Sequence, residues 1–131
     1  MKRFWIAVIT VIIADQASKW WLLEVVGIAQ RTPIELTSFF RLVMVWNEGI
    51  SFGMLSHGTL AMKWLLITLA LGISFWLYRL ARSTAHRYET IAYGVIVGGA
   101  LGNVIDRLRF GAVADFFYAH YGAYGWLAFN V

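Results

Sequence analysis

Three long apolar stretches dominate the pattern of hydrophobic and polar positions along the chain. They run from Phe4 to about Ala29, from Leu60 to Leu80 and from about Thr90 to Ile105. As helices, these stretches match the roughly 30 Å thickness of a bilayer core. The pattern therefore predicts an all-α polytopic membrane protein, a transmembrane helix bundle with three spans. Residues 126–131 have the composition of the start of a fourth span that the chain does not complete.

The basic residues near the span ends predict the orientation of the bundle. Lys2 and Arg3 precede the first span, and three arginines lie in the short link between the second and third spans: Arg79, Arg82 and Arg87. Basic residues favour the cytoplasmic side. We therefore expect a cytoplasmic N-terminus, with residues 30–59 and everything after Asp106 on the outer side.

The outer segment between the first two spans has a different character. Pro33, the only proline, sets a turn, and residues 38–46 are rich in aromatic and β-branched side chains. A further turn is predicted at residues 47–49, with the sequence Asn-Glu-Gly. The segment therefore predicts a small extracytoplasmic β element on the membrane surface.

Composition narrows the class of protein further. Hydrophobic residues make up 60% of the chain and charged residues 14%, against about 25% charged residues in an ordinary soluble domain. A soluble fold of this size could not bury so much apolar surface. The absence of cysteine excludes a thiol nucleophile and a zinc ribbon. The net charge of +4 comes without a basic run interleaved with aromatic residues, so nucleic acid is not an expected partner.

Polar residues inside the apolar stretches are costly and so point to pairing or function. Asp15 lies in the first span, and Lys19 follows one helical turn later on the same face. The simplest interpretation of this pair is mutual neutralisation, which is compatible with a functional role. In the third span, Gly94, Gly98 and Gly102 form a stripe that lets another helix approach closely.

Eight polar residues map to one depth on the outer side of the predicted bundle, which indicates a site at the outer interface. They are Asp15, Lys19, Asn47, Asn103, Asp106, Arg107, Asp115 and Asn130. Asp115 lies among aromatic residues, a setting that could raise its pKa and let it hold a proton. Hydrolysis by two aspartates needs a second carboxylate close enough to share that proton. Asp106 is one candidate, and a position just after Asn130 is the better one.

Other hydrolytic chemistries fit less well. Residues 49–53 match G-x-S-x-G around Ser51, but that nucleophile elbow requires a large α/β sheet. A catalytic Ser-Lys dyad of Ser18 and Lys19 is not favoured, because consecutive residues of a helix do not face each other. The three histidines are about thirty residues apart, a spacing that does not favour a metal site.

Four ordered blocks together resemble signal peptidase II, the bacterial lipoprotein signal peptidase family, over essentially the whole chain. The blocks are Asp15–Lys19, Asn47–Gly53, Gly98–Arg107 with Val113–Phe116, and Ala128–Val131. The resemblance implies one membrane-embedded peptidase domain over residues 1–131, in the bacterial cytoplasmic (inner) membrane. It implies an aspartic endopeptidase that cuts prolipoproteins before a diacylglyceryl-modified cysteine and needs no metal or other cofactor. Its expected partners are these substrates and membrane lipids.

The resemblance also implies roles for individual residues. Asp115 matches a catalytic aspartate, and Asn103, Arg107 and Asn130 match residues that support the dyad or the substrate. Asp15, Lys19 and Asn47 match further polar positions around the site, and Asp106 matches an aspartate with a structural role.

One departure from the family pattern concerns catalysis. In the family, Ala-Asp follows the residues matched by Asn130 and Val131, and that aspartate is the second catalytic carboxylate. We therefore expect the 131 residues, which lack it and the fourth helix, to have little or no peptidase activity. The alternative is an inactive prolipoprotein-binding fragment or a decayed copy. An ion-handling membrane protein built on Asp15, Lys19 and Asp106 is a third interpretation, but it predicts polar residues throughout the membrane depth.

Overall fold

The computed structural model describes residues 1–48, 59–121, 124–125 and 129–130. Its long helices are α1 (Lys2–Trp20), continued by a π-helical turn at Trp21–Val25, α3 (Leu60–Ser83) and α4 (Arg87–Phe110). A short helix, α2 (Ile28–Arg31), lies between α1 and the first strand. Lys2–Val25, Leu60–Ser83 and Arg87–Phe110 are long and apolar enough to cross a membrane. The mostly helical fold class predicted from the sequence is confirmed.

The helix ends differ from the predicted spans for local reasons. The first helix stops at Val25 instead of about Ala29, because Gly27 adopts a left-handed conformation with φ 63°. The last helix continues past Ile105 to Phe110 and ends at Gly111, which has φ 81° and donates its N–H to the carbonyl of Arg107 at 3.0 Å. Both glycines take a backbone conformation that other residues rarely adopt.

The outward faces of the long helices are apolar. Large hydrophobic side chains such as Ile6, Leu60 and Phe75 are more than 60% exposed. In water this much apolar surface would be unfavourable, whereas lipid tails solvate it well. The inner faces pack around a small core made of Phe4, Val8, Leu77, Ala81 and Val97.

The glycine stripe of α4 packs against α1 within the same chain. A Cβ at Gly94 would lie 2.6 Å from the carbonyl oxygen of Phe4, and one at Gly98 would lie 2.7 Å from the Cβ of Val11. Such distances are too short for any side chain larger than hydrogen. The stripe is therefore used for the internal contact between α1 and α4.

Gly102→Ala is expected to destabilise the bundle, because its Cβ would collide with Oδ2 of Asp15 and lie 3.0 Å from Cγ of the same residue. Overpacking of this kind lowers the free energy of unfolding by about 1–3 kcal/mol. Gly99→Ala is the matched control, since its Cβ would meet no described atom within 4 Å. Thermal unfolding in detergent micelles measures both, and equal melting temperatures for the two variants would contradict the packing.

The β element is an antiparallel sheet with strands in chain order: β1 (Ile34–Thr37), β2 (Phe40–Asn47), β3 (Val113–Tyr121) and β4 (Tyr124–Gly125). The sequence predicted strands only in the segment between the first two spans. It interpreted the aromatic residues after Asp115 as a membrane-interface belt, whereas the structure places residues 113–121 in β3. The alternation of apolar and polar residues that is typical of a strand is hard to recognise in β3, because both of its faces carry aromatic side chains.

A bulge in β2 changes the face on which its last residues lie. Leu42 pairs with Phe117, but Val45 pairs with Asp115, so β2 contains one extra residue between these pairs. Directly opposed residues point to the same face of a sheet. The extra residue places Asn47, rather than Trp46, on the face that carries Asp115.

A second core cluster joins the sheet to the end of the first helix. It consists of Leu22, Ile28, Ala114 and Phe116. Ala114 and Phe116 are almost fully buried and flank Asp115 in β3, so this packing fixes the backbone on both sides of the aspartate. Ser51, His57 and the predicted turn beyond Glu48 lie outside the described residues, as does most of the predicted start of a fourth span.

Candidate active site

Asp115 is the centre of the polar cluster on the sheet. Its side chain is 4% exposed, and each carboxylate oxygen accepts a hydrogen bond from an asparagine. Asn47 Nδ2 donates to Oδ2 at 3.1 Å, and Asn130 Nδ2 donates to Oδ1 at 2.6 Å. The hydrogen bonds from both amides offset part of the free-energy cost of burying the carboxylate, and they leave its charge unchanged.

Backbone pairing brings Asn130 to this position. The N–H groups of Phe116 and Phe117 donate to the carbonyl of Phe129 at 3.0 and 2.8 Å, and Phe129 N–H donates to the carbonyl of Phe117 at 2.9 Å. This bridge places the next residue, Asn130, beside Asp115. Asn130 Nδ2 also lies 3.4 Å from Oδ1 of Asn103 on α4, so α4 and the sheet meet at the cluster.

Burial raises the pKa of Asp115 above its ordinary value of 3.8. The hydrogen bonds from Asn47 and Asn130 and the charges of Lys19 and Arg107 act in the opposite direction, but burial has the larger effect. The raised pKa allows this carboxyl to hold a proton at a higher pH than an exposed aspartate. That property is needed by an acid that alternates between donating and accepting a proton.

A second, ionic cluster lies beside the first and is fully buried. Lys19 Nζ contacts Oδ1 of Asp15 at 2.8 Å and Oδ2 of Asp106 at 2.7 Å. The three side chains are at most 4% exposed. The pairing of Asp15 with Lys19 is therefore part of a triad, in which one lysine bridges two helices through two carboxylates.

Asp106 connects this ionic cluster to the strand that carries Asp115. Its Oδ2 accepts a hydrogen bond from the backbone N–H of Ala114 at 3.2 Å. Ala114 directly precedes Asp115, so the lysine-bound carboxylate holds the backbone next to the candidate catalytic residue. The carboxylate of Asp106 thus binds both the backbone N–H of Ala114 and the ammonium group of Lys19.

Gln16 belongs to the same cluster, although sequence reasoning did not single it out as a site residue. Its Nε2 lies 2.9 Å from Oδ2 of Asp15, 3.1 Å from Oδ1 of Asp106 and 3.3 Å from the carbonyl oxygen of Gly102. A long amide side chain in the middle of an apolar span was the available signal, because it needs hydrogen-bond partners there.

The structure brings the eight predicted polar residues together in two adjoining groups. Asn47, Asn103, Asp115 and Asn130 form the sheet cluster, and Asp15, Lys19 and Asp106 form the ionic cluster. Arg107 lies between the groups and interacts electrostatically with both Asp115 and Asp106. Among the described residues, no group of three His, Asp or Glu side chains is arranged to hold a metal ion.

The described residues form a helical membrane protein with three candidate spans. At one end of the bundle, a buried aspartate accepts hydrogen bonds from two asparagines, and this combination of fold and site defines the class of protein. Comparison with known proteins places it more narrowly. The chain matches the family described as signal peptidase (SPase) II over residues 7–131 and belongs to that family.

The relatives and a solved structure agree with this assignment. The lipoprotein signal peptidase of Beijerinckia indica is 40% identical over 124 residues, covering 92% of this chain and 72% of the relative. That of Methylocella silvestris is 44% identical over 119 residues, covering 90% of this chain and 69% of the relative. A solved bacterial membrane enzyme superposes with a TM-score of 0.81 at 25% identity, covering 99% of this chain and 77% of that one.

Proposed function

We propose that the cluster around Asp115 is the active site of an aspartic endopeptidase. Its substrate would be a prolipoprotein, cleaved before the diacylglyceryl-modified cysteine at the end of the signal peptide. The observation that carries the proposal is the buried carboxyl of Asp115 with a raised pKa, held between Asn47 and Asn130. Loss of cleavage on Asp115→Asn tests it.

The chemistry requires a second carboxylate. In an aspartate pair, one carboxylate removes a proton from the attacking water while the other, protonated, donates to the carbonyl oxygen of the scissile bond. The first carboxyl then gives its proton to the amide nitrogen as the C–N bond breaks, and the second takes a proton back from a hydroxyl of the tetrahedral intermediate. The pair is thereby returned to its original state. Among the described residues, the charges that shift the pKa of Asp115 are those of Lys19 and Arg107, both cations, so we place the second carboxylate outside the described part of the chain.

The segment that follows Asn130 in the family pattern is our candidate source of this carboxylate. There, an aspartate occurs three residues after the position of Asn130. An aspartate so near in sequence would begin close to the site, because Asn130 Nδ2 already lies 2.6 Å from Oδ1 of Asp115. We call these 131 residues followed by Ala-Asp and about 20 apolar residues, enough for a fourth span, the extended chain.

A second candidate function concerns the 131 residues alone. The same residues could bind a prolipoprotein without cleaving it, because Asn47, Asn103 and Asn130 do not depend on a second aspartate for their positions. We therefore propose that this polypeptide, without the added segment, binds substrate and has little or no activity.

The membrane setting follows from the charge distribution. Lys2 and Arg3, the arginines in the last turns of α3 and the arginine that begins α4 lie at the end of the bundle opposite to the sheet. Such residues favour the cytoplasm. We therefore propose an inner-membrane protein with a cytoplasmic N-terminus and Asp115 near the outer, periplasmic surface. A lipid-modified substrate would then reach the site laterally from the outer leaflet.

Asp106, Lys19, Asp15 and Gln16 are proposed to position Asp115 rather than to take part in the chemistry. Asp106 restrains the N–H of Ala114, and Lys19 and Gln16 in turn fix both oxygens of Asp106. Their contribution would be to hold the Asp115 carboxyl in the geometry that a shared proton requires.

Gln16→Leu is expected to lower kcat of the extended chain by up to about 100-fold, because a small displacement of a catalytic group has effects of that size. KM should change little, since Gln16 lies beneath the site. Gln30→Leu, an exposed position on α2, is the matched control. Steady-state kinetics on a lipid-modified prolipoprotein distinguishes the outcomes, and a variant with raised KM and unchanged kcat would contradict a positioning role.

A further inference from the structure

The end of the bundle opposite to Asp115 carries an unusual concentration of positive charge. Five cationic side chains occur within residues 1–4 and 79–90: Lys2, Arg3, Arg79, Arg82 and Arg87. Glu89 is the single carboxylate in these ranges, and it accepts a hydrogen bond from Thr84 Oγ1 at 2.5 Å. The positive charge there is therefore largely uncompensated.

Four of these cations surround one pocket. It lies where α1 begins, α3 ends and α4 begins, and its volume is about 460 Å³. Lys2, Arg3, Arg82 and Arg87 line it, together with Thr84 and Thr90. Within the described part of the chain, the ion pairs are those of Lys19 with two aspartates and of Arg41 and His120 with Glu35. None involves a cation of this pocket.

An anionic ligand explains this arrangement better than does the role of basic residues in orienting the protein in the membrane. Basic residues near the span ends are sufficient to orient a membrane protein, and they need not share a cavity. Gathering like charges around one space costs free energy unless an anion occupies it. Guanidinium groups bind phosphate oxygens through paired hydrogen bonds, which suits a phosphate ligand.

An apolar groove continues from this pocket into the membrane-spanning part. It shares Arg3 with the pocket and has a volume of about 290 Å³. Its other lining residues come from α1 and α4: Ile6, Ala7, Thr10, Val11, Ile91 and Val95. A free phosphate ion would leave this groove empty, whereas an acyl chain would fill it.

We propose that the pocket and the groove together bind an anionic phospholipid. The phosphate headgroup would contact Arg82, Arg87, Lys2 and Arg3, and one acyl chain would lie in the groove between α1 and α4. Basic pockets between membrane helices are known to bind such headgroups. This site is separate from Asp115 and does not depend on the proposed peptidase function.

Lipid binding to the full chain in detergent micelles, measured by native mass spectrometry, tests the proposal. The probes are phosphatidylglycerol, phosphatidylcholine with the same acyl chains, and inorganic phosphate. The variant is Arg82→Gln with Arg87→Gln. The matched control is Lys63→Gln with Arg109→Gln, which removes two positive charges from the opposite ends of the same two helices.

Phosphatidylglycerol is expected to bind the unaltered chain and the control equally. The Arg82 and Arg87 double variant should bind it about thirtyfold more weakly, as two headgroup contacts predict. If the control variant loses as much phosphatidylglycerol binding, the loss is explained by net charge alone and the proposal is overturned. Equal binding of phosphatidylcholine would exclude headgroup recognition, and equally tight binding of inorganic phosphate would exclude a role for the acyl chain.

Discussion

Asp115→Asn in the extended chain is expected to reduce prolipoprotein cleavage by about 10²–10⁴-fold, the contribution of a positioned general acid or base. Asparagine has the same shape but neither accepts nor donates a proton in the reaction. Substrate binding should be retained, because Asn103 and Arg107 remain in place. Cleavage of a lipid-modified prolipoprotein, followed by gel mobility, measures the first quantity, and cross-linking to the substrate measures the second.

Glu35→Gln is the matched control for this experiment. It removes a carboxylate from the same sheet, where Glu35 is exposed and pairs with Arg41 at 3.4 Å. We expect it to leave cleavage unchanged, since exposed pairs contribute little. Full turnover by the Asp115 variant would exclude aspartic catalysis at this residue. Loss of both cleavage and cross-linking would indicate a binding role instead.

The helical part of the fold could be predicted from the sequence because its determinants are local. Apolar runs of sufficient length predict spans wherever they occur, and the glycine stripe on α4 predicts a close contact with another helix. The partner of that stripe is not a local property. It became clear only from the distances between Gly94 and Gly98 on α4 and the residues of α1 that face them.

The strand pairing and register of the sheet could not be predicted from local sequence. Strand β3 pairs with β2, a distant segment of the chain, and the side-chain hydrogen bond from Asn47 to Asp115 spans 68 residues of sequence. The partner of β3 therefore cannot be predicted from the composition of β3 itself. The one-residue bulge between Leu42 and Val45 decides whether Asn47 or Trp46 lies beside Asp115. Nothing in the sequence of β2 marks the position of that bulge.

The site residues were a more favourable case, because polar side chains are conspicuous among apolar ones. Their grouping by depth predicted a shared site, but not its division into two clusters. Asp106 was a possible partner for Asp115 by depth, yet its carboxylate binds Lys19 and the N–H of Ala114. Hydrogen bonds between distant segments decide such roles, and spacing along the chain does not contain them.

Adding the fourth-span segment is expected to raise cleavage by about 10²–10⁴-fold relative to the polypeptide of 131 residues, because it would supply the second member of the acid–base pair. The added aspartate would follow Asn130 by three positions, close in sequence to the residue that already contacts Asp115. Both polypeptides are assayed on the same lipid-modified prolipoprotein in detergent micelles, and their melting temperatures are compared to separate chemistry from folding.

The decisive comparison is an extended chain in which the added aspartate is replaced by asparagine. It keeps the fourth span and all of its packing, so any activity that it loses belongs to the carboxylate alone. We expect it to be as inactive as the 131-residue polypeptide while unfolding at the temperature of the extended chain. If it cleaves at the full rate, the added helix acts by packing, and Asp115 must work without a carboxylate partner. If the 131 residues alone cleave at the full rate, the paired-aspartate mechanism is wrong for this protein.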